Sequence, residues 1–160
     1  MNQLQFDFFG SVKEFNTLAG VTTDHFNPKQ VGFYTGMQCE ELAEKLQAVF
    51  SGQAHIPESM WHLIDAISHL GDRFKNNEFE AECAAADKED LLDADIDLQV
   101  VSEGSILSQG ADGAGARREV CRANMDKVVD GKLRRHPDTG KILKPEGWRA
   151  PDLTPFLFKG

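Results

Sequence analysis

Pro57-Glu-Ser-Met60-Trp-His-Leu63-Ile64-Asp-Ala-Ile67-Ser-His-Leu70-Gly-Asp-Arg-Phe74 is the stretch on which the fold class turns. Met60, Leu63, Ile64, Ile67, Leu70 and Phe74 recur at spacings of three and four, the repeat of one helical face. Pro57 suits a first helical position, because its missing N–H is a donor that a helix start leaves unused. The spacing predicts a helix from Pro57 with this stripe in a core. Residues 75–88 are polar and Ala/Glu-rich; they either extend that helix or bend into the next.

Upstream, Leu42, Leu46 and Val49 form the apolar stripe of a helix over about 36–51. Thr35 and Gln38 fit a capping box at its start, and Ser51-Gly52 ends it. Residues 21–34 carry Asn27-Pro28 and Gly32 and read as a loop. Residues 2–19 read as a first helix, with Phe6, Phe9, Val12 and Phe15 near helical spacing and Gly20 as its stop.

Downstream, residues 89–109 contain the strand-like alternation Asp-Ala-Asp-Ile-Asp-Leu-Gln-Val-Val, but about twenty residues without proline argue for a helix. Gly110–Gly115 reads as a connector; no Lys-Ser/Thr follows, so it is not a P-loop. A fifth helix is expected over about 116–130. After Gly131, basic arms flank His136-Pro-Asp-Thr-Gly140, whose turn chemistry predicts a short hairpin. The expectation is therefore all-α: a bundle of about five helices in one domain (1–130), with a basic C-terminal hairpin and extended tail (131–160) packed on it.

The net charge is −9, unevenly spread: residues 1–110 hold 6 Lys+Arg against 19 Asp+Glu, and residues 111–160 hold 11 against 7. An acidic body argues against nucleic-acid binding and suits divalent cations, whereas a basic tail suits phosphates. There is no apolar run approaching about 18 residues, which argues against a membrane span. The N-terminus lacks a secretory signal pattern, so a cytoplasmic location is expected. Cys39, Cys83 and Cys121 are odd in number and far apart, and they read as reduced, small apolar residues.

Three groups of residues carry chemistry. In Glu40-Glu41-Leu-Ala-Glu44, three carboxylates lie within one turn. Their repulsion costs roughly a few tenths of a kcal/mol per pair, and a hard divalent ion taking the oxygens as ligands removes that cost. The same pentad also suits a solvated acidic face. Asp90, Asp93 and Asp97 share a face of the 89–109 helix among apolar neighbours, although aspartate is a poor helix-interior residue. Two such helices would offer hard oxygens that prefer Mg2+ or Mn2+. An EF-hand is ruled out by Leu98 and Gly104 where that loop needs Gly and Glu. A di-iron bundle needs Glu-x-x-His, which no histidine here completes. The third group is Asn124-Met-Asp-Lys127 with the basic hairpin, suited to a sugar or phosphate.

Taken in order, Val12-x-Glu-Phe15, Glu40-Glu41-x-x-Glu44, Leu92-Asp93-Ala94-x-x-Asp97 with Gly104, Asn124-Met125-x-Lys127, and Gly140-Lys-Ile-Leu-Lys-Pro145 with Trp148 and Pro151-Asp152 form a pattern. It resembles the MazG-like, phosphoribosyl-ATP pyrophosphohydrolase-like group of the all-α NTP pyrophosphatase superfamily. The resemblance spans nearly the whole chain. It implies a homodimer or, by a second pairing, a homotetramer, hydrolysing a nucleoside triphosphate to a monophosphate and pyrophosphate with Mg2+ (or Mn2+). By position, Glu40, Glu41, Glu44 and Asp97 would be the metal ligands, with Glu41 and Glu44 catalytic. Many relatives carry Glu-x-x-Asp on the second acidic helix. Here the Glu position falls on Ala94, and Asp93 is the candidate replacement. Asn124, Lys127, Lys141 and Lys144 would bind substrate, and the role implied is house-cleaning of nucleotide pools. The alternatives are the same scaffold acting on phosphoribosyl-ATP or a modified nucleotide, and a non-catalytic acidic helical protein that binds a basic partner.

Overall fold

The computed structural model describes residues 6–53, 55–137 and 140–157. The protein is mostly helical. Among the described residues it has six α-helices and a two-stranded ribbon: α1 (Phe8–Leu18), α2 (Pro28–Val49), α3 (Glu58–Lys75), α4 (Glu80–Ala85), α5 (Lys88–Ser108), α6 (Gly113–Met125), β1 (Val128–Val129) and β2 (Lys132–Leu133). They fall into two compact units, Asp24–Lys88, and Met1–Thr23 together with Glu89–Gly160. Among the described residues, no helix is long and apolar enough to cross a membrane.

The first unit is built on α2 and α3. The expected loop over 21–34 ends early, because α2 starts at Pro28 rather than near 36. Asn27 is its N-cap, with Oδ1 accepting from Gln30 N at 3.2 Å, and Pro28 opens the helix. The Thr35–Gln38 capping box does not form; Thr35 lies mid-helix and its hydroxyl donates to Val31 O at 3.0 Å. Gly36, inside this early part of α2, is a contact position. A Cβ on Gly36 would lie 2.5 Å from Gly71 O, and one on Gly71 2.9 Å from Gly36 O. The two helices therefore touch backbone to backbone, and they run antiparallel.

Pro57 caps α3 instead of sitting inside it; Met60 N and Trp61 N both bond to Pro57 O. The stripe predicted for α3 is only partly core. Ile64 is 1% exposed and Gly71 is buried, whereas Leu63 and Leu70 are 48% and 39% exposed. The face that meets α2 is centred on Ile64, Ile67 and Gly71, so Leu63 and Leu70 fall on its flanks. After α3 the chain bends at Asn77 (φ 62°), and the Phe74 and Phe79 rings meet at 4.6 Å. α4 then buries Cys83, 3.4 Å from where a Gly32 Cβ would be.

In the second unit, α1 is capped by Asp7, whose Oδ1 accepts from Gly10 N at 2.8 Å; residues 2–5 of the expected helix lie outside the described residues. α5 is helical throughout, as its length predicted. α6 differs at both ends from the expected 116–130. It starts inside the glycine stretch, where Asp112 caps Gly115 N at 2.9 Å, and it stops at Met125. Val128 and Val129 then pair with Leu133 and Lys132 across Asp130-Gly131. Both turn residues have positive φ (53° and 72°), the geometry of a type I′ two-residue hairpin.

The predicted basic hairpin follows. Arg135 bridges Ile142, and Leu143 N bonds to Arg134 O at 2.8 Å; Asp138 and Thr139 at its tip lie outside the described residues. The tail is tied to α6 by three bonds: Trp148 Nε1 to Ala123 O (2.7 Å), Asp152 N to Glu119 Oε1 (3.1 Å) and Asp112 N to Phe156 O (2.9 Å). Arg122 and the Asp152 N–H hold the Glu119 carboxyl down at about 2. All three cysteines are free, and Cys83 and Cys121 are buried.

Candidate functional site

The acidic pentad lies in the middle of α2, just past the Gly36–Gly71 contact. There a cleft of about 270 Å³ opens between α2 and α3, lined by Glu40, Ala43, Glu44 and Gln47 from one helix and Ser68, Asp72 and Lys75 from the other. Ala43 is buried on the α3 side, so carboxylates three before and one after it flank the cleft. Lys75 Nζ donates to Glu40 Oε2 at 3.1 Å and to Asp72 Oδ1 at 3.0 Å. The Asp72 hydrogen bond is the main cause that raises the Lys75 pKa, against the opposing effect of burial.

Glu41, between Glu40 and Glu44 in sequence, does not line this cleft. Partial desolvation, then the charges of Glu44 and Glu40, raise its carboxyl above the ordinary value. Carboxylate oxygens are the hard donors that Mg2+ and Mn2+ take, but one of the three, Glu40, is already paired with Lys75. Among the described residues, no three His, Cys, Asp or Glu side chains are gathered closely enough to hold a metal ion. Glu40 in particular is turned to Lys75.

Asp72 and Lys75 were not foreseen as site residues. The isolated Gly71 within the apolar stripe of α3 was the available signal, because a glycine inside a helical pattern often marks close backbone approach. Asp93 and Asp97 lie one turn apart on α5, exposed, and belong to the other unit.

Compared with protein-family models, with curated proteins and with solved structures, the chain matches none.

The second unit gathers Asn124, Lys127 and Lys144. Lys127 Nζ donates to Asn124 Oδ1 at 2.9 Å. It also sits 5.9 Å from the Phe15 ring centre and 5.7 Å from that of Trp148. Lys144 Nζ lies over the same Trp148 ring at 4.4 Å. Burial, with help from the Lys144 charge, lowers the Lys127 pKa. Two ammonium groups and an amide thus converge on an aromatic surface, an arrangement suited to a multiply charged anion. Lys141 stands on the hairpin arm beside the Arg135–Ile142 bridge, with an exposed side chain.

Proposed function

We propose that this protein is a Mg2+-dependent nucleoside triphosphate pyrophosphohydrolase, releasing pyrophosphate and a nucleoside monophosphate in nucleotide-pool house-cleaning. The observation that carries the reading is the pairing of chemistries in one chain: a carboxylate ladder with a raised Glu41 on α2, and a two-lysine, one-amide cluster at Lys127, Lys144 and Asn124. The first suits a divalent cation, the second a polyphosphate.

In this reading Glu40, Glu41, Glu44, Asp93 and Asp97 would hold the metal. Mg2+, or Mn2+, would supply neutralisation of phosphate charge there. Glu41 accepts a proton from the attacking water. Glu44 orients that water. The new bond forms between the water oxygen and the α-phosphorus, and the bond from the α-phosphorus to the bridging oxygen breaks. Lys127 and Lys144 then hold the charge that develops on the departing pyrophosphate. Asn124 orients Lys127, and Lys141 approaches the substrate from the hairpin.

The reading includes a homodimer, or a homotetramer built from it. Its support is α5, which buries none of its 21 residues while carrying Leu92, Val101 and Leu107 at 63–66% exposure. A helix apolar on several sides is found covered, not bare.

The test is pyrophosphate and monophosphate release from a panel of ribo- and deoxynucleoside triphosphates, phosphoribosyl-ATP and modified nucleotides, with Mg2+ and with EDTA. Metal-dependent pyrophosphate from at least one substrate is expected. No product from any, with a thermal melt unmoved by Mg2+, would favour the acidic helical interaction protein instead.

A further inference from the structure

Lysines that bind phosphate must be brought together without being neutralised. Lys75 illustrates the ordinary outcome: Glu40 and Asp72 hold it, and its charge is spent on them. Lys127 and Lys144 are organised differently. Trp148 Nε1–H donates to Ala123 O at 2.7 Å, and Ala123 is 2% exposed, so the indole is pinned to the body of α6. Its ring then carries Lys144 Nζ at 4.4 Å and Lys127 Nζ at 5.7 Å, with the Phe15 ring 5.9 Å from Lys127. All lie within the reach of about 6 Å at which a ring quadrupole attracts a cation.

A ring attracts an ammonium without accepting all of its N–H donors. Lysine has three, and Lys127 gives one to Asn124 Oδ1. The others remain for a ligand. Two cations over one ring also repel each other, and an anion placed between them relieves that repulsion.

We propose that Trp148, assisted by Phe15, is a positioning residue that spaces Lys127 and Lys144 as a two-point receptor for a pyrophosphate group. This rests on the reading of those lysines as phosphate-binding, and it adds which residues set their spacing. The aromatic pair touches the lysines, not the reacting atoms.

The experiment uses the full chain and inorganic pyrophosphate as probe, in EDTA so that carboxylate-bound metal does not contribute. Trp61 and Trp148 are the only tryptophans, so Trp61→Phe leaves Trp148 as the sole indole reporter. Its emission should change saturably with pyrophosphate, and Lys144→Met in that background should remove the response. By calorimetry, Trp148→Leu should bind pyrophosphate about tenfold more weakly. Trp148→Phe, which keeps a ring, and Phe15→Leu should each lose about threefold or less. Circular dichroism confirms that each variant is folded.

Pyrophosphate binding that the lysine substitution weakens but folded Trp148→Leu leaves unchanged overturns the positioning role and leaves the lysine assignment standing. If Trp148→Leu does not fold, an emission unmoved by saturating pyrophosphate in Trp61→Phe overturns it. No pyrophosphate binding by the unaltered protein, together with no product from the triphosphate panel, sinks both readings.

Discussion

α2 and α5 are both long, acidic helices, yet they are held in opposite ways. α2 carries glycines where α3 approaches, buries Gly32, Gly36 and Ala43 on that side, lines the cleft with Glu40 and Glu44, and leaves Glu41 outside it. α5 has no buried residue and spreads its apolar side chains around the axis: Leu92, Ile96 and Val100 on one side, Leu98 and Val101 on another. The difference teaches that acidity alone does not define a helix's job. α2 is specified by small residues that demand one neighbour in the same chain, whereas α5 leaves its apolar side chains exposed.

The largest effect expected from that contrast is on chemistry. Glu44→Gln should lower pyrophosphate release by at least about a hundredfold with the melt nearly unchanged, because the lost carboxylate is exposed and its role is in the reaction. Full activity in this variant would remove α2 from the site.

Next is the contact that distinguishes α2. Gly36→Ala puts a Cβ against Gly71 O and should cost about 1–3 kcal/mol, read as a fall in Tm of several degrees. A neutral substitution would mean the helices do not touch as closely as the backbone places them.

On α5, Ile96→Asp should leave the fold intact and, if the proposed dimer uses this helix, weaken self-association at least about tenfold by sedimentation, because a charge would be placed in a desolvated interface. An unaltered protein that stays monomeric at micromolar concentration would break this half of the comparison.

Gly104 on α5 has nothing within 4 Å of its Cβ position, so Gly104→Ala should stabilise by about 0.5–1 kcal/mol, the opposite sign to Gly36→Ala. The smallest effect concerns Glu41. Its folded pKa is raised, so the native state holds that proton more tightly than the unfolded chain does. The stability it contributes is present below the ordinary carboxylate value and is lost as pH rises through the raised one. Without metal, Glu41→Gln should therefore stabilise the fold slightly at neutral pH, by roughly a few tenths of a kcal/mol, read as a small rise in Tm.

Much of the architecture was legible because helices announce themselves by period and length. α5 emerged within a residue of its expected ends despite its strand-like alternation. α2 was misread at its start because Asn27-Pro28, Gly32 and Gly36 have two meanings. The same residues break a helix in a loop, or cap it and let a neighbour approach, and only the neighbour decides. Asp130-Gly131 is a hairpin dipeptide that the apolar Val128 and Val129 had absorbed into an expected helix. In the candidate site, Glu40, Glu41 and Glu44 could be found from their spacing. Asp72 and Lys75 could not, since nothing local says which face of α3 meets α2.

By itself, then, the sequence determined what local chemistry dictates: the helical class, the acidic pentad, the aspartates of α5, the basic hairpin and the charge asymmetry. Tertiary structure decided which side chains meet. The Gly36–Gly71 contact, the Lys75 bridge from Glu40 to Asp72, and the convergence of Phe15, Lys127, Lys144 and Trp148 each join residues on separate elements. Periodicity reports only which face a residue occupies; which faces come together is settled by burial and packing across the whole unit.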